Sequence, residues 1–376
     1  MECKYKSFWR KVALSCAGYS MVSNSVVTPS ITAILETFQG TGQHLTNFIL
    51  SGSNLIAILF ALLAGFLTRY VSKRKLMITA LILFCVGGIG GAVAWDAISM
   101  SVLRALDGAS DGIVTVVACS LIAEVYADDE KSQSQVYGWM HGLSSLLGII
   151  VSFVAGLIAT INWRFAFLLN SLALISLVLV ILFVPETPLE RVDKKKSHLT
   201  KTGYRREKVS FVANMFFFFT LSAVYYSMVF LIDIIVNELQ IGNSVLSGTL
   251  TSLMLATMSA ANIFFGKIYM KFKSKMPIFM LIFTGGCMVS MAFTHNIVTI
   301  ACLITVATFA ATSSLAYYPV VIAKIAPKHL LSSWMSGYTI IMFGASYFST
   351  YIPIWVSALF GTTSVIDSFK YSGGLL

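Results

Sequence analysis

The sequence predicts an all-α membrane protein built from two pseudo-symmetric helical bundles, six spans followed by five. Three observations predict it. The chain is 57% hydrophobic and 11% charged, against about 25% charged in a soluble domain. It has too few polar residues to cover a core in water. Long apolar runs recur from end to end, each near the ~20 residues that cross a bilayer as a helix. Features of the first half return in the second at an offset near 200.

Eleven stretches qualify as spans: 11–35, 46–68, 76–95, 98–123, 135–160, 164–184, 209–234, 244–268, 276–294, 297–323 and 334–359. Lys4, Lys6, Arg10 and Lys11 followed by apolar residues imitate a secretory leader. That apolar run is long, holds Asn24 and Pro29 and lacks a clear cleavage site, so it reads as the first span.

Charge orients the spans. With the N-terminus in the cytoplasm, 23 of the 26 Lys and Arg residues fall in cytoplasmic segments. Arg164 and Lys370 lie outside, and Arg104 lies within a span. Basic residues are retained on the cytoplasmic side during insertion. The chain is therefore expected as a multi-pass protein of the cell membrane with a cytoplasmic N-terminus. The net charge of +10 belongs to topology and not to nucleic acid, for which no patch of stacking aromatics and basic residues is present. The longest polar stretch divides the chain into an N-terminal six-helix bundle (1–185), a basic cytoplasmic linker (186–208) and a C-terminal bundle with five complete helices (209–376).

The repeat rests on three echoes. Gly87-Gly88 in span 3 return as Gly285-Gly286 in span 9. Gly65, Lys73 and Lys75 return as Gly266, Lys273 and Lys275. Ala127 precedes Gly138 by eleven residues, as Ala326 precedes Gly337. Parallel repeats of this kind build transporters whose solute site lies between the halves near the midplane. Residues 361–376 read as an external loop and the opening of a twelfth span cut short.

The loop after span 2 reads Gly65-Phe-Leu-Thr-Arg69-Tyr-Val-Ser-Lys73-Arg74-Lys75. Span 4 holds Arg104-Ala-Leu-Asp107-Gly108-Ala-Ser-Asp111-Gly112. Trp163-Arg164-Phe165-Ala-Phe167 opens span 6, and Pro185-Glu186-Thr187-Pro188 follows it. In this order the motifs resemble the major facilitator superfamily of secondary transporters, over nearly the whole chain. The loop is similar to that family's G-x-x-x-D-R-x-G-R-R/K segment but carries Arg69 at the acidic position and Tyr70 at the next. The resemblance implies transport of a small organic solute by alternating access, gating by Gly65, Arg69, Lys73 and Arg74, and a cavity lined by spans 1, 4, 7 and 10. The drug:proton antiporter type often has a Gly-Pro pair in span 5. Here Gly138, Gly142 and Gly148 are present without the proline. Proton-coupled efflux is the expectation, with metabolite uptake by symport or uniport as the alternative. A non-transporting truncated membrane protein is the alternative of another class.

Span 4 carries the chemistry that the residues themselves suggest. Arg104, Asp107 and Asp111 stand at i, i+3 and i+7, on one helix face. A charge at the bilayer centre costs at least ~2.5 kcal/mol, so each must meet a partner or a wet cavity. Arg104 reaches Asp107 one turn away, which leaves Asp111 as the first candidate for reversible protonation. The bland reading is a structural ion cluster. For the cavity, the candidates are Asn24 and Thr28 of span 1, Tyr225 and Tyr226 of span 7, and Thr308, Thr312 and Tyr317 of span 10. Tyrosines present an aromatic face and a polar tip to an amphipathic solute. The bland reading is that Ser and Thr bond their own helix backbone. His141 in span 5 reads as a structural histidine or a proton relay.

No C-x-x-C pair is present among the six cysteines, so a metal site or disulfide framework is not expected. The sequence has no G-x-x-x-x-G-K-[ST] or H-E-x-x-H motif. Neither an enzyme nor a cofactor is expected. The expected partners are a small-molecule substrate, protons and the lipid bilayer, with the chain working as a monomer.

Overall fold

The computed structural model describes residues 2–22, 25–27, 34, 37–38, 48–189, 201–238, 244–291, 293–294 and 296–349. Eleven α-helices lie among them: α1 (Glu2–Cys16), α2 (Ser53–Leu67), α3 (Lys73–Gly90), α4 (Ala97–Val125), α5 (Glu130–Ala166), α6 (Ala173–Phe183), α7 (Lys201–Glu238), α8 (Ser244–Phe272), α9 (Met276–Met291), α10 (Ile297–Ile325) and α11 (Leu331–Phe348). No strand occurs among the described residues.

Seven helical stretches are long and apolar enough to cross a membrane, and α2 and α9 are shorter apolar helices. The fold is that of an all-α membrane protein. Of the seven stretches, α4 is the most enclosed. The first and last expected spans, 11–35 and 334–359, fall partly outside the described residues. α7 begins at Lys201, inside the stretch expected as linker. Arg, Lys and Glu are good helix formers, so Arg205-Arg-Glu-Lys208 carries the helix beyond the apolar run.

Local chemistry sets several helix ends. Asp96 caps α4, accepting from the Ser99 amide at 2.7 Å, and the Ser99 side chain answers in a capping box. Those hydrogen bonds hold the Asp96 carboxyl below the usual carboxylate range. Asp129 caps α5 through the Ser132 amide at 3.0 Å, and Asn296 caps α10 through the Val298 amide at 2.9 Å. At Asn162 the backbone is extended (φ −159°, ψ 116°), which divides α5 into the fifth span and the entry to the sixth. Trp163, next in sequence, packs edge-on against Phe167.

Leu59, Val86, Phe153, Leu182, Phe216 and Ile282, on six different helices, are all exposed. So much apolar surface on the outside of a bundle requires lipid.

The turns between α2 and α3, α8 and α9, and α10 and α11 carry basic clusters, and the α4–α5 turn, next to Lys131, lies on the same side; this side is called the basic end below. Two helix seams close there. α2 meets α11, where a Cβ on Gly65 would collide with Ser336 Oγ and stand 3.2 Å from the Ser332 carbonyl oxygen. α5 meets α8, where a Cβ on Gly266 would stand 2.9 Å from Gln135 Cα, and one on Gly138 would collide with the Asn262 carbonyl. Ser259 of α8 also donates to the Gly142 carbonyl at 2.9 Å. The Gly88–Gly286 part of the echo is one of sequence and not of packing. A Cβ on Gly88 would stand 2.9 Å from Asn170 Cβ, whereas one on Gly286 would meet nothing within 4 Å.

Candidate functional site

The polar residues of α4 stand deep in the enclosed helix. Gly108 and Gly112 let α4 lie directly on α2, since a Cβ at either would collide with the Ser53 or the Ala57 carbonyl oxygen. That approach brings Arg104 to the start of α2. Arg104 is 1% exposed. It donates to Asp107 Oδ2 at 3.0 Å, to Ser53 Oγ at 3.0 Å and to the Ile49 carbonyl at 3.2 Å. The guanidinium thus ties α4 to α2 and neutralises Asp107, itself 2% exposed. A buried charge needs this combination of counter-charge and hydrogen bonds.

Asp111 is placed differently. Among the described residues no cation stands within ion-pair distance of it. Its one side-chain hydrogen bond among the described residues comes from Ser20 Oγ, which donates to Oδ1 at 3.4 Å. Its flanking residues Ser110 and Gly112 are buried, yet Asp111 itself is half-buried. The exposed outer face of α4 is marked by Ile98 and Val102. At about 100° per residue, Asp111 projects from nearly the opposite side of the helix. Its accessible surface opens inward and not toward lipid.

The cavity candidates divide into groups. Asn24 and Thr28 lie outside the described residues. Tyr225 and Tyr226 of α7 stack obliquely with ring centres 5.5 Å apart, and Tyr225 faces Thr308 of α10. Thr312 donates to the Thr308 carbonyl at 2.7 Å, so its hydroxyl is engaged by its own helix. Tyr317 lies further toward the basic end. Its ring is 6.1 Å from Tyr269 and 5.3 Å from Tyr318.

The gating-loop residues also part company. The Gly65 carbonyl accepts from Thr68 Oγ1 at 3.1 Å and, across the seam, from Ser333 Oγ of α11 at 3.4 Å. Arg69 lies over the Phe66 ring at 5.7 Å. Lys73, 1% exposed, pairs with Glu124 at the end of α4. Arg74 donates to the Ile181 carbonyl of α6.

Sequence reasoning missed one contact at this end. Lys324 of α10 donates to Glu130 of α5 at 2.8 Å and to the Tyr269 hydroxyl of α8 at 2.7 Å. Lys324 counts only toward topology in the sequence, Glu130 carries no expectation there, and 194 residues separate them. It also missed a device shared by two helix pairs. Tyr137 of α5 donates to the Cys119 carbonyl of α4 at 2.7 Å, and Tyr338 of α11 donates to the Leu315 carbonyl of α10 at 2.8 Å. The tyrosine hydroxyls were legible in sequence, but their acceptors are backbone atoms on another helix.

Comparison with known proteins gives a concordant result. The sequence profile of the Major Facilitator Superfamily matches residues 13–350. The uncharacterized MFS-type transporter EfpA of Mycobacterium tuberculosis H37Rv is 25% identical over 166 residues, 44% of this chain and 29% of its own length. The arabinose-proton symporter of Escherichia coli K12 is 24% identical over 171 residues, 45% of this chain and 35% of its own. The chain thus matches about a third of the length of these relatives. The solved structure of the proton:xylose symporter XylE superposes with a TM-score of 0.75 at 15% identity, covering 100% of this chain and 94% of that one. At that identity the likeness is one of fold.

Proposed function

The chain belongs to the major facilitator superfamily, and from that membership we propose that it exports small amphipathic organic solutes in exchange for protons, by alternating access. Membership in the family makes it a multi-pass membrane transporter of small molecules. In the finer reading residues 1–185 and 209–376 are the two moving bundles, and the basic stretch 186–208 joins them on the cytoplasmic side. The basic end is the cytoplasmic end of a cell-membrane protein. Arg104 and Asp107 form the fixed part of the coupling site, and Asp111 is the group that takes up and releases the proton. Tyr225, Tyr226 and Thr308 contact the solute. Gly65, in the α2–α11 seam, is part of the cytoplasmic gate, with Arg69, Lys73 and Arg74 bracing its loop.

One observation carries the reading. Asp111 keeps accessible surface on the inward side of the most enclosed helix, with no cation paired to it among the described residues. A carboxylate held so is expensive when charged and free to exchange a proton through a wet cavity.

A second reading is uptake by proton symport. It is favoured by the likeness to an arabinose-proton symporter and to the fold of a proton:xylose symporter. Everted membrane vesicles with an acid-inside pH gradient separate the two. Exchange for protons loads an amphipathic fluorescent dye into such vesicles and stops when nigericin collapses the gradient. Accumulation of labelled pentose by right-side-out vesicles under an inward proton gradient, without dye loading in everted ones, would overturn export.

A further inference from the structure

The first span does not continue as α-helix beyond Cys16. From Ala17 to Val22 it winds as a 3-10 helix of six residues, five of them buried. Such turns have poorer hydrogen bonds than an α-helix and seldom exceed three or four residues. One of this length inside a span needs support from its neighbours. Ser176 of α6 donates to the Cys16 carbonyl at 2.8 Å, where the α-helix ends. Ser144 of α5 lies 2.7 Å from the Gly18 carbonyl and 2.6 Å from the Met140 carbonyl of its own helix, so its one hydrogen is shared between them. A Cβ on Gly18 would stand 2.6 Å from Ser144 Oγ and 2.9 Å from the Met140 carbonyl oxygen, so glycine is what lets α5 come this close. Tyr19 packs edge-on against Phe84 of α3 at 6.1 Å and donates to the Leu169 carbonyl at 2.9 Å.

The next residue is Ser20, fully buried, whose hydroxyl donates to Asp111. Each residue of a 3-10 helix turns about 120° around the axis, against about 100° in an α-helix. Over the three steps from Ala17 to Ser20 the difference sums to roughly 60°. Wound as α-helix, the same residues would aim Ser20 to one side of Asp111. Few other groups face that carboxylate. On α4 itself, Arg104 and Asp107 are paired with each other. The stretches packed against α4, residues 12–22, 48–67, 76–93, 132–160, 297–323 and 331–348, hold no Asp, Glu, Lys or Arg, and His141 is their one histidine. Among the described residues the Ser20 hydroxyl is therefore the group placed to offset the cost of a charge on Asp111.

We propose that the 3-10 turn of the first span is the device that holds Ser20 on Asp111, and that Tyr19 and Ser176 are positioning residues of the proton site that act through it. Neither is hydrogen-bonded to Asp111. Ser176 fixes the start of the turn, Tyr19 fixes its rotation, and Ser20 carries the result to the carboxylate. The role in coupling rests on the proton-exchange reading above; the register of the turn does not.

The register is tested on the full chain in lipid nanodiscs with native cysteines replaced. The pair Ser20→Cys with Asp111→Cys should be joined quickly by a short bifunctional methanethiosulfonate. The pair Met21→Cys with Asp111→Cys, one residue further round the turn, should be joined far more slowly. Tyr19→Phe and Ser176→Ala, each added to the first pair, should slow its joining roughly twofold to tenfold, as the loss of one hydrogen bond does. A first pair joined no faster than the second, or at a rate that neither substitution changes, would overturn the device. Coupling is tested in everted vesicles with ethidium as the probe. Ser20→Ala should cut loading driven by the pH gradient to about a third of the wild-type level or less, and leave exchange of labelled for unlabelled ethidium at equal pH within about twofold. Tyr19→Phe and Ser176→Ala should lower the ratio of driven to exchange transport in the same direction. A serine that only holds the fold would lower both together, and that result, or driven loading unchanged in Ser20→Ala, would overturn the positioning role. Wild-type vesicles that load no ethidium, with the joining results as expected, would instead overturn export of such solutes and leave the turn that presents Ser20 to Asp111 standing.

Discussion

Gly65 of α2 and Gly266 of α8 stand at matching places in the two seams of the basic end. Gly65 lies against Ser332 and Ser336 at the start of α11, and Gly266 lies against Gln135 near the start of α5. Under the proposed division into two bundles, each is the second helix of one half meeting the fifth helix of the other. A side chain at Gly266 meets backbone that cannot swing aside. Overpacking of this kind costs about 1–3 kcal/mol. Gly266→Leu is therefore expected to lower the closed-to-open ratio by roughly fivefold to a hundredfold. A cysteine at position 312, where Thr312 is fully buried, should react with a thiol reagent added from the basic side correspondingly faster. An unchanged rate would show that the seam does not close the path.

Lys324 and Glu130 join the same two halves by charge. Lys324 is 46% exposed and Glu130 33%, so water screens the pair and it contributes below ~1 kcal/mol. Glu130→Gln should change the open-to-closed ratio by no more than about fivefold. The difference from wild type should vanish near 1 M salt, where the screening length is about 3 Å. The swapped pair, Glu130→Lys with Lys324→Glu, should recover most of the loss. A loss that persists at high salt would mean that Glu130 acts by packing or through Tyr269, not by charge.

The Arg104–Asp107 pair is buried on both sides. Removing one partner strands the other, at a cost of about 3–5 kcal/mol. Arg104→Ala and Asp107→Asn should both lower the melting temperature in detergent and the yield in membranes. Asp111→Asn, with no ion-pair partner to strand, should leave both close to the wild type. Equal losses in all three variants would mean that Asp111 is part of one structural cluster.

The sequence carries some of these features and hides others for a physical reason. Arg104 and Asp107 are one turn apart on a helix that ends where its cap and its apolar run end, so their pairing is a local fact. The glycine pair 65 and 266 is legible because a seam leaves no room for a side chain in either half. Lys324 and Glu130 are not legible as a pair, because a loop charge reads the same whether it faces water or another helix. His141 shows only that it is a histidine in an apolar run. Pro319 is plain in the sequence, but Tyr338, the donor to the Leu315 carbonyl that a proline there leaves free, comes from another helix, α11. Gly286, the echo of Gly88, misleads in the opposite direction, since a repeated residue need not meet repeated neighbours.

Topology offers an independent check. With 23 of the 26 basic residues assigned to one side, a cysteine at position 198 should be labelled by an impermeant maleimide in everted vesicles and not in intact cells. Labelling from outside intact cells would reverse the orientation. It would place the α2–α11 and α5–α8 seams at the external face.

Asp111 carries the most exacting expectation. It is expected to lose and regain a proton in each transport cycle, because a half-buried carboxylate with no ion-pair partner among the described residues, deep in a membrane-spanning helix, holds its charge in only one of the two forms. Asn keeps the size and the hydrogen bond from Ser20 but cannot titrate. Asp111→Asn should therefore abolish accumulation driven by a pH gradient, to below about a tenth of the wild-type level, which corresponds to ~1.4 kcal/mol or more of lost driving force. Exchange of labelled for unlabelled solute at equal pH should continue, because movement between the two open forms needs no proton. This split between driven and exchange transport is what a purely structural aspartate cannot produce, since misfolding would abolish both. The role fails if Asp111→Asn drives accumulation with an unchanged pH dependence, or if exchange is lost together with it in a variant whose melting temperature is intact.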